Sequence, residues 1–180
     1  MSRKWTPEIK IPQDSNYIIR ITDESFGPSK GSGNPMITLK AEVVSPEEVE
    51  VAGEMINIAG APITPLYYVT QPADADGNVD AEKAANSAKR LKELYSLFEL
   101  PNDNINPENP TLAFKGKVVY ALLYPDCQER RKSPTAAQLA QGIKQGDVMI
   151  NPKTKKPLVN NFIKVGEIFG LAELPKSQAF

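Results

Sequence analysis

The chain has 180 residues with 21 Lys and Arg, 22 Asp and Glu, no His and one Cys, and its formal net charge is −1 at pH 7. The absence of His excludes Ser–His–Asp and Cys–His nucleophile arrangements, and a lone cysteine excludes an internal disulfide. The length suits one domain with a substantial core, and no apolar run reaches the roughly 18 residues that would span a bilayer.

Residues 1–15 are predicted to form an N-terminal arm, because Pro7 and Pro12 disfavour regular structure. The arm lacks the apolar segment of a secretory leader, so we expect a cytoplasmic protein with no membrane partner. Trp5, which follows two cations, could either stack on a nucleic-acid base or anchor the arm on the protein core.

The following stretch, residues 16–44, reads NYIIRITDESFGPSKGSGNPMITLKAEVV and predicts two neighbouring antiparallel strands. Apolar residues alternate with polar ones over residues 17–22 and again over residues 36–43, which is typical of half-buried strands. The glycines and prolines of residues 27–35 predict the turn between them. Each strand therefore has one apolar face and one face that carries a cation.

This stretch resembles phage-type single-stranded DNA-binding proteins built on an OB-fold. The likeness lies in a strand that ends in acidic residues, the turn Ser-Lys-Gly-x-Gly-Asn-Pro-Met and a strand that ends Glu-Val-Val, and it returns in Phe-Lys-Gly-Lys-Val-Val at residues 114–119. The resemblance implies a protein without catalytic activity or cofactor that coats and protects single-stranded DNA, largely independently of sequence, during phage replication or recombination. It also implies a location in the cytoplasm of an infected bacterial cell and phage or host replication proteins as further partners, and it allows a homo-oligomer.

Residues 49–58 predict a third strand, which Gly53 interrupts as a bulge or kink. Farther on, Tyr67 and Tyr68 place one ring on each face of an extended segment, so that one ring belongs to the core and the other could stack on a base. The acidic stretch at residues 74–80 has the spacing of a calcium loop but lacks the closing Glu. We interpret it as a solvated turn, and no metal site is predicted.

Residues 80–99 predict the main helix. Asp80 can cap its exposed amides, apolar side chains recur at steps of three and four, and Leu100-Pro101 ends it. We expect the apolar stripe of this helix to plug one end of a barrel. Residues 115–124 then predict a strand with apolar side chains on both faces, which is typical of a central position in a sheet.

Beyond Pro125 the chain turns basic. Residues 135–141 predict a short helix, and residues 147–159 predict a β-hairpin whose tip carries three lysines. The final strand is predicted at residues 160–168, and residues 171–180 are predicted to form a mobile tail.

The order of these elements predicts a mainly β fold, a five-stranded OB-like barrel over residues 16–170 with one inserted helix and one basic hairpin. Charge is uneven along this chain. Residues 115–164 hold ten Lys and Arg against three Asp and Glu, whereas residues 41–110 hold four against thirteen. The asymmetry predicts a cationic face that attracts phosphates, unless the two blocks face each other and cancel.

A sequence-tolerant binder of single strands needs cations that follow the phosphates and exposed rings that stack on bases. Phe162 and Lys164, which share one face of the final strand, are the strongest candidates. The full set of candidates is Arg20, Lys30, Lys40, Tyr67, Lys117, Tyr120, Tyr124, Arg130, Arg131, Lys132, Lys153, Lys155, Lys156, Phe162 and Lys164. Each lysine could equally be an ordinary solvated charge, and each tyrosine could belong to the core.

Two other classes of function stay open. A non-catalytic adaptor could use the same barrel to bind a protein partner, with the basic hairpin against an acidic patch. An enzyme is disfavoured, because no carboxylates cluster at a nuclease-like spacing.

Phe180 matches the Phe that closes the acidic recruiting tails of similar single-strand binders, but Glu173 is the one acid among the last twelve residues, so we expect an ordinary terminus.

Overall fold

The computed structural model describes residues 1–171, and the chain is mainly β, as predicted. The elements are β1 (Arg3–Lys4), β2 (Asp14–Pro28), β3 (Pro35–Ser45), β4 (Glu48–Val51), β5 (Glu54–Asn57), β6 (Pro62–Val69), α1 (Ala81–Leu97), β7 (Val118–Glu129), α2 (Ala136–Ala140) and β8 (Val159–Phe169). A main sheet has the strand order β6-β3-β2-β7-β8, and a small sheet has the order β1-β5-β4. The predicted tail, apart from its first residue, lies outside the described residues.

The alternation predicted for β2 and β3 is confirmed. Ile19 and Ile21 of β2 are buried, and they pair with Val43 and Ala41 of β3 in an antiparallel ladder. Each large apolar side chain buried in this way contributes about 1.5–3 kcal/mol to folding. The opposite faces of both strands remain available to solvent.

The predicted third strand is two strands instead. Residues 48–57 form the β4–β5 hairpin, because Ala52 and Gly53 both have positive φ, 51° and 83°, as a two-residue type I′ turn requires. The hairpin belongs to the small sheet, where β5 pairs with β1. The third strand of the main sheet is β6, which tolerates Pro62 and Pro65 because it is an edge strand.

The main helix is confirmed, with Asp80 as its N-cap. Asp80 Oδ1 accepts a hydrogen bond from the Lys83 amide at 3.0 Å, and this bond lowers the pKa of the Asp80 carboxyl. At the other end of the helix, the rings of Tyr95 and Phe98 meet the buried Phe114 edge-on, at centroid distances of 4.9 and 5.3 Å. The predicted apolar stripe therefore covers the core next to the start of β7. In the part of the chain that the structure describes, neither α1 nor α2 has the length and apolar character of a membrane-spanning helix.

β6 and β8, the two edges of the main sheet, lie side by side, and in the described part of the chain no hydrogen-bonded ladder joins them. A groove of about 320 Å³ lies at this seam, and α1 forms its third wall. The N-terminal arm covers the first part of β8, where the Asn161 amide donates to the Pro7 carbonyl at 2.7 Å. Trp5 packs against the core and donates its indole N–H to the Ile9 carbonyl at 3.0 Å, so it anchors the arm.

Candidate nucleic-acid interface

The segment that joins β7 to β8, residues 130–158, holds most of the predicted cations. It contains seven Lys and Arg against one acid, and we name it the basic connection. Its cations are Arg130, Arg131, Lys132, Lys144, Lys153, Lys155 and Lys156. Lys144 was not among the predicted candidates, although it is one of the ten Lys and Arg counted over residues 115–164.

Three backbone hydrogen bonds order the base of the basic connection. The Arg130 amide donates to the Leu158 carbonyl, the Leu158 amide to the Met149 carbonyl, and the Met149 amide to the Arg130 carbonyl, each at 2.8 Å. Residues 147–149 thus lie between the segment that follows β7 and the segment that precedes β8. Residues 130–132 and the lysine hairpin consequently lie at the same end of the molecule.

Gly146 permits this close packing. A Cβ at this position would lie 1.9 Å from the carbonyl oxygen of Lys132. The Gly146 carbonyl also accepts a hydrogen bond from Arg131 Nη1 at 3.2 Å, and the same guanidinium pairs with Glu129 at 3.5 Å. Sequence reasoning missed Gly146, because its requirement comes from a backbone segment that is distant along the chain.

The predicted hairpin tip is present in the basic connection, where its two arms meet in an antiparallel bridge. Asn151 closes the turn, because its Oδ1 accepts hydrogen bonds from the amides of Lys153 and Thr154, at 2.9 and 3.3 Å. The tip exposes its three lysines, Lys153, Lys155 and Lys156. Among the described residues, no carboxylate lies within 4.0 Å of any of these three ammonium groups.

Phe162 lies on the outward face of β8, close to the basic connection. Its side chain is 41% exposed, and its cross-strand partner on β7 is Asp126. Only three residues separate Phe162 from the start of β8, about 10 Å of extended chain at 3.3 Å per residue. The outward side chains of the two strands at this end are Tyr124 and Asp126 of β7 and Phe162 and Lys164 of β8, and we name them the β7–β8 face.

Lys164 lies on the β7–β8 face with Phe162, as predicted, but its ammonium group forms an ion pair with Asp126. Its Nζ lies 2.9 Å from Asp126 Oδ2. This hydrogen bond lowers the pKa of the Asp126 carboxyl and raises the pKa of the Lys164 ammonium, so both groups are charged at neutral pH. A phosphate that approaches Lys164 must compete with Asp126, a residue that sequence reasoning missed because it depends on the register between β7 and β8.

The other predicted rings differ in exposure. Tyr67 is 55% exposed and lines the groove between β6 and β8, whereas its neighbour Tyr68 packs against the core. Tyr124 is half-buried and packs close to Gly166: a Cβ added at Gly166 would lie 3.5 Å from the Cδ1 of Tyr124. Tyr120 is only 3% exposed, so its ring has no open face for a base, and we leave it out of the interface.

Two of the predicted cations on the main sheet are paired with acids on neighbouring strands. Arg20 lies 3.5 Å from Glu42, and Lys40 lies 4.0 Å from Asp23. Exposed pairs of this kind contribute about 0–1 kcal/mol to stability. Their main effect here is to lower the positive charge of the β2–β3 surface.

Lys30 and Lys117 lie apart from the basic connection. Lys30 is in the turn between β2 and β3, and Lys117 directly precedes β7, with its carbonyl accepting a hydrogen bond from the Ile21 amide at 3.0 Å. Because the basic connection follows the other end of β7, these two lysines and the basic connection lie at opposite ends of that strand.

Comparison with known proteins finds no family model, no curated protein and no solved structure that matches the chain. Within residues 1–171, no group of three or more Cys, Asp and Glu side chains could hold a metal ion. A functional assignment therefore rests on the residues of this chain and on their geometry.

Proposed function

We propose that the protein is an OB-fold single-stranded DNA-binding protein that coats single strands, largely without sequence preference. The observation that carries the proposal is the position of the basic connection, which leaves the β7–β8 ladder three residues, or about 10 Å of extended chain, from the exposed ring of Phe162. Cations in this arrangement can follow the phosphates while the ring stacks on a base. A duplex keeps its bases stacked on each other, so the ring adds affinity for single strands alone.

The strand connectivity supports an OB-fold. In that fold the first strand pairs with the second and the fourth, the fourth pairs with the fifth, and the third and fifth strands meet to close the barrel. β2, β3, β6, β7 and β8 follow this order, with α1 between the third and fourth strands and with β6 beside β8. OB-folds bind oligonucleotides through the face of their second and third strands and through the loops that follow their first and fourth strands. The loop after the fourth strand is here the basic connection, whereas the loop after the first strand is the turn that carries Lys30, at the opposite end of β7.

The cellular role follows from the resemblance of residues 16–44 to phage-type single-strand binders. We propose that the protein acts in phage replication or recombination in the cytoplasm of an infected bacterium, with replication proteins as its protein partners. Binding of DNA itself does not depend on this step, because it is argued from the charges and rings of the interface.

The proposal is tested by fluorescence anisotropy with a labelled, unstructured oligonucleotide and with the matching duplex. We expect tighter binding to the single strand, and we expect the affinity to fall with salt at a slope of about −0.7 per phosphate contact. A protein that binds neither DNA at low salt, or that prefers the duplex, would contradict the proposal. Binding to neither would favour the adaptor function, in which the basic hairpin meets an acidic protein.

Replacing Phe162 by Ala should weaken binding by about 1–3 kcal/mol, the usual contribution of one stacked base. The salt slope should stay unchanged, because a ring releases no counterions. Anisotropy titrations at several salt concentrations measure both quantities. Leu139→Ala is the matched control, since Leu139 is 58% exposed within the basic connection but carries no ring. An equal loss in both variants would mean that apolar area, and not stacking, is responsible.

A further inference from the structure

Asp126 is an acid in the middle of a surface that we propose binds a polyanion. It lies directly across the β7–β8 ladder from Phe162, so both side chains point outward. Its Oδ2 accepts hydrogen bonds from Lys164 at 2.9 Å and from Gln128 Nε2 at 2.6 Å, and its Oδ1 accepts none from the described residues. A carboxylate here repels phosphates, and it can add affinity only by contacting a hydrogen-bond donor of the ligand.

We propose that Asp126 Oδ1 accepts a hydrogen bond from the exocyclic amino group of the base stacked on Phe162, so that this position prefers cytosine to thymine. This inference rests on the proposed function and specifies one base subsite within it. Cytosine presents an N4 amino donor, for which Asp and Glu are the usual acceptors. Thymine presents the O4 acceptor at the same place, and an acceptor facing a carboxylate is repelled.

The geometry suits such a contact. Side chains that face each other across an antiparallel ladder have Cβ atoms about 4.5–5.5 Å apart, so a base over the ring of Phe162 brings its edge to Asp126. Lys164 and Gln128 both hold the carboxylate through its Oδ2. Because the acceptor is already ordered, a base loses little affinity to the cost of ordering it.

The test compares oligo-dC with oligo-dT of equal length by anisotropy, at a mildly alkaline pH where cytosine is unprotonated. The two bases have rings of the same size, so they differ mainly in the group that meets Asp126. We expect the protein to bind oligo-dC about fivefold to tenfold more tightly, the effect of one hydrogen bond to a partly solvated charged acceptor. Asp126→Ala should reduce this ratio to about one, and Phe162→Ala should reduce it as well.

Asp23→Ala is the matched control for the change of charge. Asp23 also forms a cross-strand ion pair with a lysine, Lys40 at 4.0 Å, but it lies on the β2–β3 surface away from Phe162. This variant should raise the affinity for both oligonucleotides alike and keep their ratio. Thermal melting followed by circular dichroism checks that all variants are folded.

The outcomes separate this inference from the function on which it rests. Equal binding of oligo-dC and oligo-dT by the unchanged protein overturns the base subsite, and so does a ratio that survives Asp126→Ala, while either result leaves the proposed function standing. Binding of neither oligonucleotide overturns both. A ratio that disappears in Asp126→Ala and persists in Asp23→Ala supports the assignment of the amino-group contact to Asp126.

Discussion

Replacing Lys153, Lys155 and Lys156 together by Ala should lower the affinity for single-stranded DNA about a hundredfold at about 0.1 M salt. Each phosphate contact to a single strand contributes a slope of about −0.7 in log affinity against log salt, so the slope should fall in magnitude by about two. The effect should be large because these lysines are exposed and, in the described part of the chain, have no carboxylate within 4.0 Å to compete with phosphate. Anisotropy titrations over a series of salt concentrations measure the slope.

The matched control removes three lysines from α1 instead. Lys83, Lys89 and Lys92 are exposed, and their replacement by Ala changes the net charge by the same amount outside the basic connection. This variant should keep most of the salt slope. If both triple variants lose the slope equally, net charge and not the hairpin governs binding, and the hairpin does not belong to the interface.

Charge cancellation explains how a protein with a net charge of −1 can present such an interface. On the main sheet the acids do neutralise cations, since Arg20 meets Glu42 and Lys40 meets Asp23 across neighbouring strands. In the basic connection they neutralise few cations, because it contains one acid against seven cations, and among the described residues only its Arg131 has a carboxylate within 4.0 Å, that of Glu129 at 3.5 Å. The positive charge predicted from the charge asymmetry is therefore densest in this one connection, so the positive potential that it produces is local.

Features that depend on local spacing could be predicted from the sequence. The period-two alternation of β2 and β3, the capping of α1 by Asp80 and the lysine hairpin all depend on residues within a few positions of each other. The outward direction of Phe162 also followed from alternation, since its neighbour Ile163 is buried. Local chemistry decided these features, and distant contacts did not override it.

Features that depend on register or tertiary packing could not be predicted in this way. Ala52 has a positive φ of 51°, which is uncommon for alanine, so the sequence did not predict the β4–β5 turn. Tyr120 lies on a strand with apolar residues on both faces, so alternation could not show that it is buried. The pairing of Asp126 with Lys164 requires the register of β7 against β8, which no local pattern contains.

Gly146→Ala should disrupt the basic connection while the main sheet stays folded. The added Cβ would lie 1.9 Å from the Lys132 carbonyl oxygen, whereas close C···O contacts are about 3.3–3.6 Å, so the backbone must move by more than about 1 Å. Overpacking usually costs about 1–3 kcal/mol, and this clash should exceed that range because no flexible side chain can move to relieve it. We expect the affinity for single-stranded DNA to fall more than about tenfold, the effect of losing two or more phosphate contacts.

Amide hydrogen exchange reports the structural half of this prediction, because protection at Arg130, Met149 and Leu158 depends on the three hydrogen bonds at the base of the connection. Gly27→Ala is the control, since a Cβ at Gly27 meets nothing within 4 Å. If Gly146→Ala removes the protection but keeps the affinity, the lysines act as a flexible chain and the ordered base is not required. If it removes neither, the packing at Gly146 does not order the connection. If Gly146→Ala removes both the protection and the affinity, while the amides of β2 and β3 stay protected, then DNA binding requires the connection to be ordered by residues 147–149, which lie between the segment after β7 and the segment before β8.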